Sequence, residues 1–379
     1  MRSAASGTEP PAGDRLVGAR EILSSKIPFE LTRAEIIAAR GPKSVVDLTR
    51  PIAVFEEVEA VGPWQVGMGE GPGGADVVSL ILAGAECALR CTMCDLWRQT
   101  LDHSTPRGAL PRQIAVGLAQ TASGLGQVGE GVGSGGSGRG NERWVKLYNA
   151  SNFFDRRSVP REDWDAIAGL VGQFDRVIVE NHPRFVGDDV FEFARRLEGR
   201  LEVAIGLEAA DDAILRMLNK KMTCRGFESA ASKLRRGGVD VRAFVMLGPP
   251  GCGAEQRIGL LLKTLRFAAH CGVRHVSVIP TRGGNGMMER LRAAGWFMPP
   301  GAGDLEEAMR ESLALGLPMV ITADLWDWGN LQGHCETCRE VRLGRLRRVN
   351  LGQRWFEIDN AEHRRGVGSG REGCECHRG

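Results

Sequence analysis

The chain has 379 residues, with 49 lysines and arginines against 47 acidic residues and 42% hydrophobic side chains. A formal net charge of +2 excludes whole-chain electrostatic capture of nucleic acid or of an anionic membrane, while leaving room for a local basic patch. No apolar run reaches the about 18 residues of a spanning helix, and the opening "MRSAASGTEPPAGDR" lacks the apolar stretch of a secretory signal.

Residues 1–20 read as a disordered leader rich in Gly, Pro and Ala. Residues 21–74 form an N-terminal extension, helical in spacing to about 45 and strand-like over 51–66. "ADVVSLILA" (75–83) is a continuous apolar run bounded by glycines. It suits a strand buried on both faces, as in a parallel sheet. Residues 123–142 read as a Gly-rich flexible insertion; the glycines lack phosphate-loop spacing and no Lys-Ser/Thr pair follows them.

Strand-like and helix-like runs then alternate. Strands are expected at 143–150, 175–181, 201–209, 240–250 and 273–281. Helices are expected around 161–173, 187–198, 211–236, 254–271 and 286–295. With the strand at 75–83 this makes six β-α units, which pair in parallel through right-handed crossovers. Six units close partway into a barrel or wind into an open sheet, and periodicity alone leaves both open.

Of ten cysteines, seven lie in clusters, at 87/91/94, 335/338 and 374/376. Cys224, Cys252 and Cys271 are isolated and read as small core residues. In a large chain with no export signal, clustered cysteines point to metal and not to disulfides. "AECALRCTMCDLW" (85–97) places Cys87, Cys91 and Cys94 in one short loop. Three thiolates on a [4Fe–4S] cluster leave one iron open for chemistry. The rival is a structural zinc site completed by His103 or a distant ligand. The triplet's position at the C-terminal end of the first strand of a β-α array favours the cluster, because that end of a barrel carries active sites.

The C-x3-C-x2-C spacing after a buried first strand resembles the radical S-adenosylmethionine (SAM) superfamily. That resemblance implies an α/β fold, a partial (β/α)6 barrel over residues 75–300 with a small Cys-rich C-terminal extension over 301–379. It implies a [4Fe–4S] cluster whose open iron chelates SAM, reductive cleavage of SAM to a 5′-deoxyadenosyl radical, and hydrogen abstraction from a substrate. It also implies an electron donor of flavodoxin or ferredoxin type. Strand ends supply the expected SAM contacts: Met93 in the cysteine loop, Ser151 and Asn152 in "KLYNASNFFD", Glu180, Glu208, Lys220 and Pro280. "KLYNASNFFD", "VENHPRF", "IGLEAADDAILRMLNKK" and "FVMLGPP" resemble more narrowly the group around the Elongator catalytic subunit and the radical-SAM archaeosine-synthase subunit. A modified tRNA nucleoside is the substrate class which that likeness implies.

"HCETC" and "GCECHRG" place Cys335, Cys338, Cys374 and Cys376 in a CxxC…CxC set suited to zinc or a second Fe–S cluster. The arginine-rich stretch between them, with Arg339, Arg342, Arg345, Arg347, Arg348 and Arg354, reads as a solvated helix face or an RNA contact. The expected protein is a cytoplasmic enzyme of unspecified oligomeric state. A radical SAM enzyme acting on a small metabolite or peptide is the first rival, and a non-catalytic zinc or Fe–S RNA-binding scaffold the second.

Overall fold

The computed structural model describes residues 31–65, 71–122 and 142–357. α1 (Arg33–Ala38) is followed by β1 (Ala53–Ala60), which pairs antiparallel with β2 (Gly74–Ile81). Then come α2 (Ala109–Ala122), β3 (Glu142–Tyr148), α3 (Trp164–Val171), β4 (Arg176–Asn181) and α4 (Asp188–Ala194). β5 (Arg200–Glu208) leads through α5 (Asp212–Met217) and α6 (Cys224–Arg236) to β6 (Asp240–Leu247). α7 (Arg257–His270) precedes β7 (His275–Pro280), and α8 (Met287–Ala293) and α9 (Ala302–Ala314) precede β8 (Val320–Ala323). α10 (Glu336–Gly352) is the last described helix.

Each strand lies beside its chain neighbour, in the order β1 to β8, and β2 through β8 run parallel. The six units expected from the sequence are therefore present as β2–β7. The sheet continues past residue 300: β8 and α9 add a seventh parallel unit from the stretch read as a C-terminal extension.

Strand alternation explains why the runs look continuously apolar. In β3, Val145 and Leu147 point outward into the main core beneath the helices, while Trp144, Lys146 and Tyr148 alternate with them on the barrel interior. Outward packing is dense: Phe153, Phe154, Trp164 and Phe193 meet with ring centroids 4.8–6.0 Å apart.

The lower barrel interior is filled by paired charges. Arg242 donates to Glu202 at 2.7 Å and to both oxygens of Glu59 at 3.0 and 2.7 Å. Lys146 holds Glu57 at 2.6 Å and Glu59 at 2.5 Å. Arg176 joins Glu202 to Asp240. The guanidinium groups of Arg176 and Arg274 lie 5.1 and 5.0 Å from the Trp144 ring. Burial works against a charge on Glu202, but Arg242, Arg274 and Arg176 overrule it and hold its carboxyl down at about 2.

β1 and β8 do not pair, so the barrel stays partial, and α10 packs against both edges of the gap. Its amide side chains cover the free edge of β8. Asn350 Oδ1 accepts from Ala323 N and its Nδ2 donates to Ala323 O, both at 2.8 Å; Gln353 does the same for Ile321 at 2.8 and 3.0 Å. This helix carries the arginine-rich stretch, and its cations are not all on a solvated face. Arg342 and Arg345 are buried against Glu306, at 2.8 and 2.6 Å. Arg348 and Arg354 lie over the Phe356 ring.

Candidate functional site

The C-terminal strand ends open onto the cysteine loop. Cys87 lies six residues beyond the end of β2, and the loop is tied from three directions. From below α5, Asn219 Nδ2 donates to Leu89 O at 3.2 Å and Arg90 O at 2.8 Å. Thr92 N and Oγ1 donate to the Leu218 and Met217 carbonyls at 2.9 and 2.8 Å. From beyond β7, Asn285 Nδ2 donates to Thr92 O at 2.6 Å and Cys94 O at 3.3 Å, while its Oδ1 accepts from Met288 N at the start of α8. From the N-terminal segment, Arg40 and Lys43 reach Glu86 at 2.6 and 2.9 Å, and Arg90 also pairs with that carboxylate. Ile36 of α1 packs with Met217, Met288 and Phe297, against which Met93 also lies.

Backbone strain concentrates at this end of the barrel. Among the described residues, six non-glycine positions have positive φ, and five of them are Arg90, Ala150, Glu208, Asn219 and Lys221. Such conformations persist only where surroundings enforce them, and they gather at functional sites.

Cys91 is buried, and Cys87 and Cys94 are half-buried. Burial, joined by the nearby Cys87, pushes the Cys91 thiol up to about 11 despite the opposing Lys220. Burial and then the Cys91 neighbour push Cys94 up to about 12. Two thiols that resist ionisation, Cys91 and Cys94, suit a cationic metal group, which displaces their protons and reverses that cost. Among the described residues, no three thiol, imidazole or carboxyl groups converge tightly enough to ligate one metal ion. A cluster requires less convergence, because each thiolate binds a different iron. His103 is exposed, with Nδ1 2.9 Å from the Ser104 carbonyl. The donor set therefore fits a cluster better than a mononuclear zinc.

The remaining sequence candidates fall around this loop in different ways. Asn152 is buried and donates from Nδ2 to Cys87 Sγ at 3.3 Å, so it touches the thiol directly. Ser151 Oγ lies 2.6 Å from Ser158 Oγ within its own turn. Glu180 accepts from Asn149 N at 3.1 Å; burial outweighs that bond and raises its carboxyl to about 7. Glu208, last residue of β5 and displaced by a bulge, holds Lys220 Nζ at 2.9 Å with both side chains 8% exposed. Burial disfavours the charge on Lys220, but Glu208 beside it outweighs that and holds the ammonium above its usual range. A Cβ on Gly206 would stand 2.2 Å from Glu208 Oε1 and 2.6 Å from Lys220 Nζ, so a side chain there would displace the ends of this pair. Pro280 is buried at the end of β7.

Cys335 immediately precedes α10 as its N-cap and Cys338 is buried in its first turn, with their sulfurs 3.7 Å apart. Cys374 and Cys376 lie outside the described residues, as does most of the Gly-rich insertion. Cys252 and Cys271 are buried, as expected of core residues, whereas Cys224 is only half-buried at the start of α6 and is not part of the core.

Sequence reasoning missed Asn219 and Asn285, whose side chains bind the loop from distant segments. It also missed Asn149 and Asn181, adjacent at the ends of β3 and β4 and buried with no partner for either side-chain amide. An Asn closing an apolar strand is the signal that marks them.

No family model matches this chain. The chain is 25% identical over 241 residues to the archaeosine synthase beta subunit of Methanosarcina acetivorans, covering 61% of this chain and 66% of that protein. It is 23% identical over 220 residues to an uncharacterised protein of Methanocaldococcus jannaschii, covering 55% of this chain and 60% of that one. The match thus spans a little under two thirds of either relative. Among solved structures, methylornithine synthase superposes with a TM-score of 0.43 over 86% of this chain and 82% of its own, at 11% identity. Coproporphyrinogen III oxidase of Escherichia coli, described as a radical SAM enzyme, gives 0.33 over 46% and 40%, at 15% identity. In its cysteine loop, in its partial parallel barrel and in its curated relative, the chain resembles the radical SAM superfamily, and within it the archaeosine synthase beta subunit.

Proposed function

We propose that this chain is a radical SAM enzyme in which Cys87, Cys91 and Cys94 hold a [4Fe–4S] cluster with one iron left for SAM. The observation that carries the reading is a loop of three thiols, one buried and two half-buried, at the C-terminal mouth of a parallel barrel. When bound, cluster and SAM supply one-electron reductive cleavage of a sulfonium bond and abstraction of a hydrogen atom from the substrate.

The chain's own groups do the rest. Asn152 donates to the Cys87 sulfur and orients it as a ligand. Lys220, kept charged by Glu208, presents a cation for the SAM carboxylate. Glu180, with its carboxyl near 7, is a neutral or singly charged partner for the ribose or amino group. Buried Met246 and Leu218, with half-buried Met93 packed on them, form an apolar wall that excludes water from a reactive centre.

The substrate in this reading is a modified nucleoside of tRNA, which the likeness to the archaeosine synthase beta subunit supports. Electrons come from a flavodoxin or ferredoxin in the cytoplasm; no helix among the described residues is long and apolar enough to cross a membrane. The anaerobically reconstituted protein with dithionite is expected to release methionine and 5′-deoxyadenosine from SAM. Cys91→Ala is expected to release neither, and cleavage retained in that variant would refute the ligand assignment. Loss of one modified nucleoside from the tRNA of a deletion strain tests the substrate.

Cys335 and Cys338 supply two thiols to a second metal site in this reading; Cys374 and Cys376, the other cysteines of the set, lie outside the described residues. Two thiolates on one tetrahedral ion, with metal–sulfur bonds of about 2.3 Å, stand about 3.8 Å apart. The observed 3.7 Å supports a single ion, with zinc the metal of choice. The amide of Cys335 donates to Cys338 Sγ at 3.4 Å, which orients that sulfur beside its neighbour.

A further inference from the structure

A groove of about 590 Å³ follows the rim of the barrel mouth, between the turn after β4 and the connection from α5 to α6. Its charged lining residues are Arg184, Arg216, Lys221 and Lys233, with no acidic side chain among them. The chain as a whole carries 49 cations against 47 anions, so four of one sign at one groove is a local concentration of charge. Arg184, Arg216 and Lys221 are exposed and have no ion-pair partner among the described residues. Lys233 donates to Val186 O at 3.3 Å and lies 5.9 Å from the Phe191 ring, contacts that leave its charge uncompensated.

Two further features suit an extended anion. The first turn of α6, capped by Thr223 Oγ1 accepting from Gly226 N at 3.1 Å, lines the groove with the positive end of a 13-residue helix. Leu215 and Met222 give the groove an apolar floor between the cations. A single small anion would leave most of this volume and most of these charges unused. A chain of phosphates with flat bases uses both the rim and the floor.

We propose that this groove seats the phosphodiester backbone of an RNA, with Arg184, Arg216, Lys221 and Lys233 on its phosphates. The identity of the polymer rests on the nucleoside reading above; the anion site rests on the groove alone. Asn219 also lines the groove, so the bound RNA lies against the residue that pins the cysteine loop and is delivered at the edge of the mouth.

The test is fluorescence anisotropy of a labelled RNA stem-loop with the full-length, cluster-loaded protein over a series of salt concentrations. Arg184→Glu with Arg216→Glu is expected to weaken binding by at least about tenfold and to flatten the plot of log Kd against log salt by about two. Either single change is expected to flatten it by about one. Arg266→Glu, an exposed change outside the groove, is expected to leave both unchanged. A double variant that binds RNA with wild-type affinity and slope, while melting at the wild-type temperature, would overturn the proposal. So would a polyglutamate peptide that displaces the RNA at equal charge concentration. Protein that binds RNA through these residues but takes up neither iron nor SAM upholds the groove and refutes the enzyme reading instead.

Discussion

Asn219 joins two physical demands in one residue. Its backbone sits at φ +51°, and its buried side chain donates to the carbonyls of Leu89 and Arg90 in the cysteine loop at 3.2 and 2.8 Å. Asn219→Ala removes both bonds, at about 1 kcal/mol each, and puts a Cβ without a compensating amide in the left-handed region, at about 1 kcal/mol more. The expected loss is about 3 kcal/mol. Asn219→Gly loses the same bonds but tolerates the backbone, so its loss is expected near 2 kcal/mol. With an unfolding entropy of about 2.1 cal/mol/K per residue, the 379-residue chain melts about 4 °C lower as the Ala variant and about 2–3 °C lower as the Gly variant. Anaerobic differential scanning calorimetry reads both shifts, and chelator-driven iron release reads the loosened loop. Variants melting within 0.5 °C of the parent, or a Gly variant worse than the Ala variant, would refute the account of how this loop is held.

Arg242→Met leaves Glu59 with Lys146 alone and Glu202 with Arg176 and Arg274, one buried positive charge short, and is expected to cost about 3 kcal/mol; adding Glu59→Gln should recover part of the lost melting temperature. Burial holds His275 well below 6.5 and His182 at about 4. Below pH 6.5 the unfolded chain therefore takes up two protons that the native state refuses, and stability falls on acidification. Glu180, raised to about 7 by burial, binds its proton natively before the unfolded chain does and offsets one of them. Between pH 6.5 and 4.5 the net loss is about 1.4 kcal/mol per pH unit, and Glu180→Gln is expected to double that slope toward 2.7; an unchanged slope contradicts the assignment. Cys335→Ser is expected to remove about one zinc per chain, measured by elemental analysis, without lowering the iron. Zinc unchanged in that variant would remove the second site.

Much of the barrel is legible in the sequence, because strands buried on both faces are written as short apolar runs set apart by helical spacing. β8 is not, since its four residues "VITA" are too few to show a period. Helical spacing over 211–236 also hides a break. α5 stops at Met217, and Asn219 and Lys221 adopt positive φ before α6 resumes at Cys224, a backbone choice that leaves no mark on hydrophobic spacing. The same limit explains the site. Cys87, Cys91 and Cys94 announce themselves by proximity in sequence, whereas Asn219 and Asn285 meet their loop from 129 and 191 residues away. The interior charges are equally silent. Lys146, Glu202 and Arg242 each look like one stray polar residue in a strand, and only curvature of the sheet brings them into hydrogen-bonding range.

The most direct measurement is made on protein isolated without oxygen: iron content, together with the electron paramagnetic resonance spectrum of the dithionite-reduced protein before and after SAM is added. About four irons per chain and a reduced-cluster signal that SAM changes, both lost in Cys87→Ala, Cys91→Ala and Cys94→Ala, are the predicted result. Protein that carries zinc alone at these three cysteines, or a cluster signal indifferent to SAM, would contradict the account.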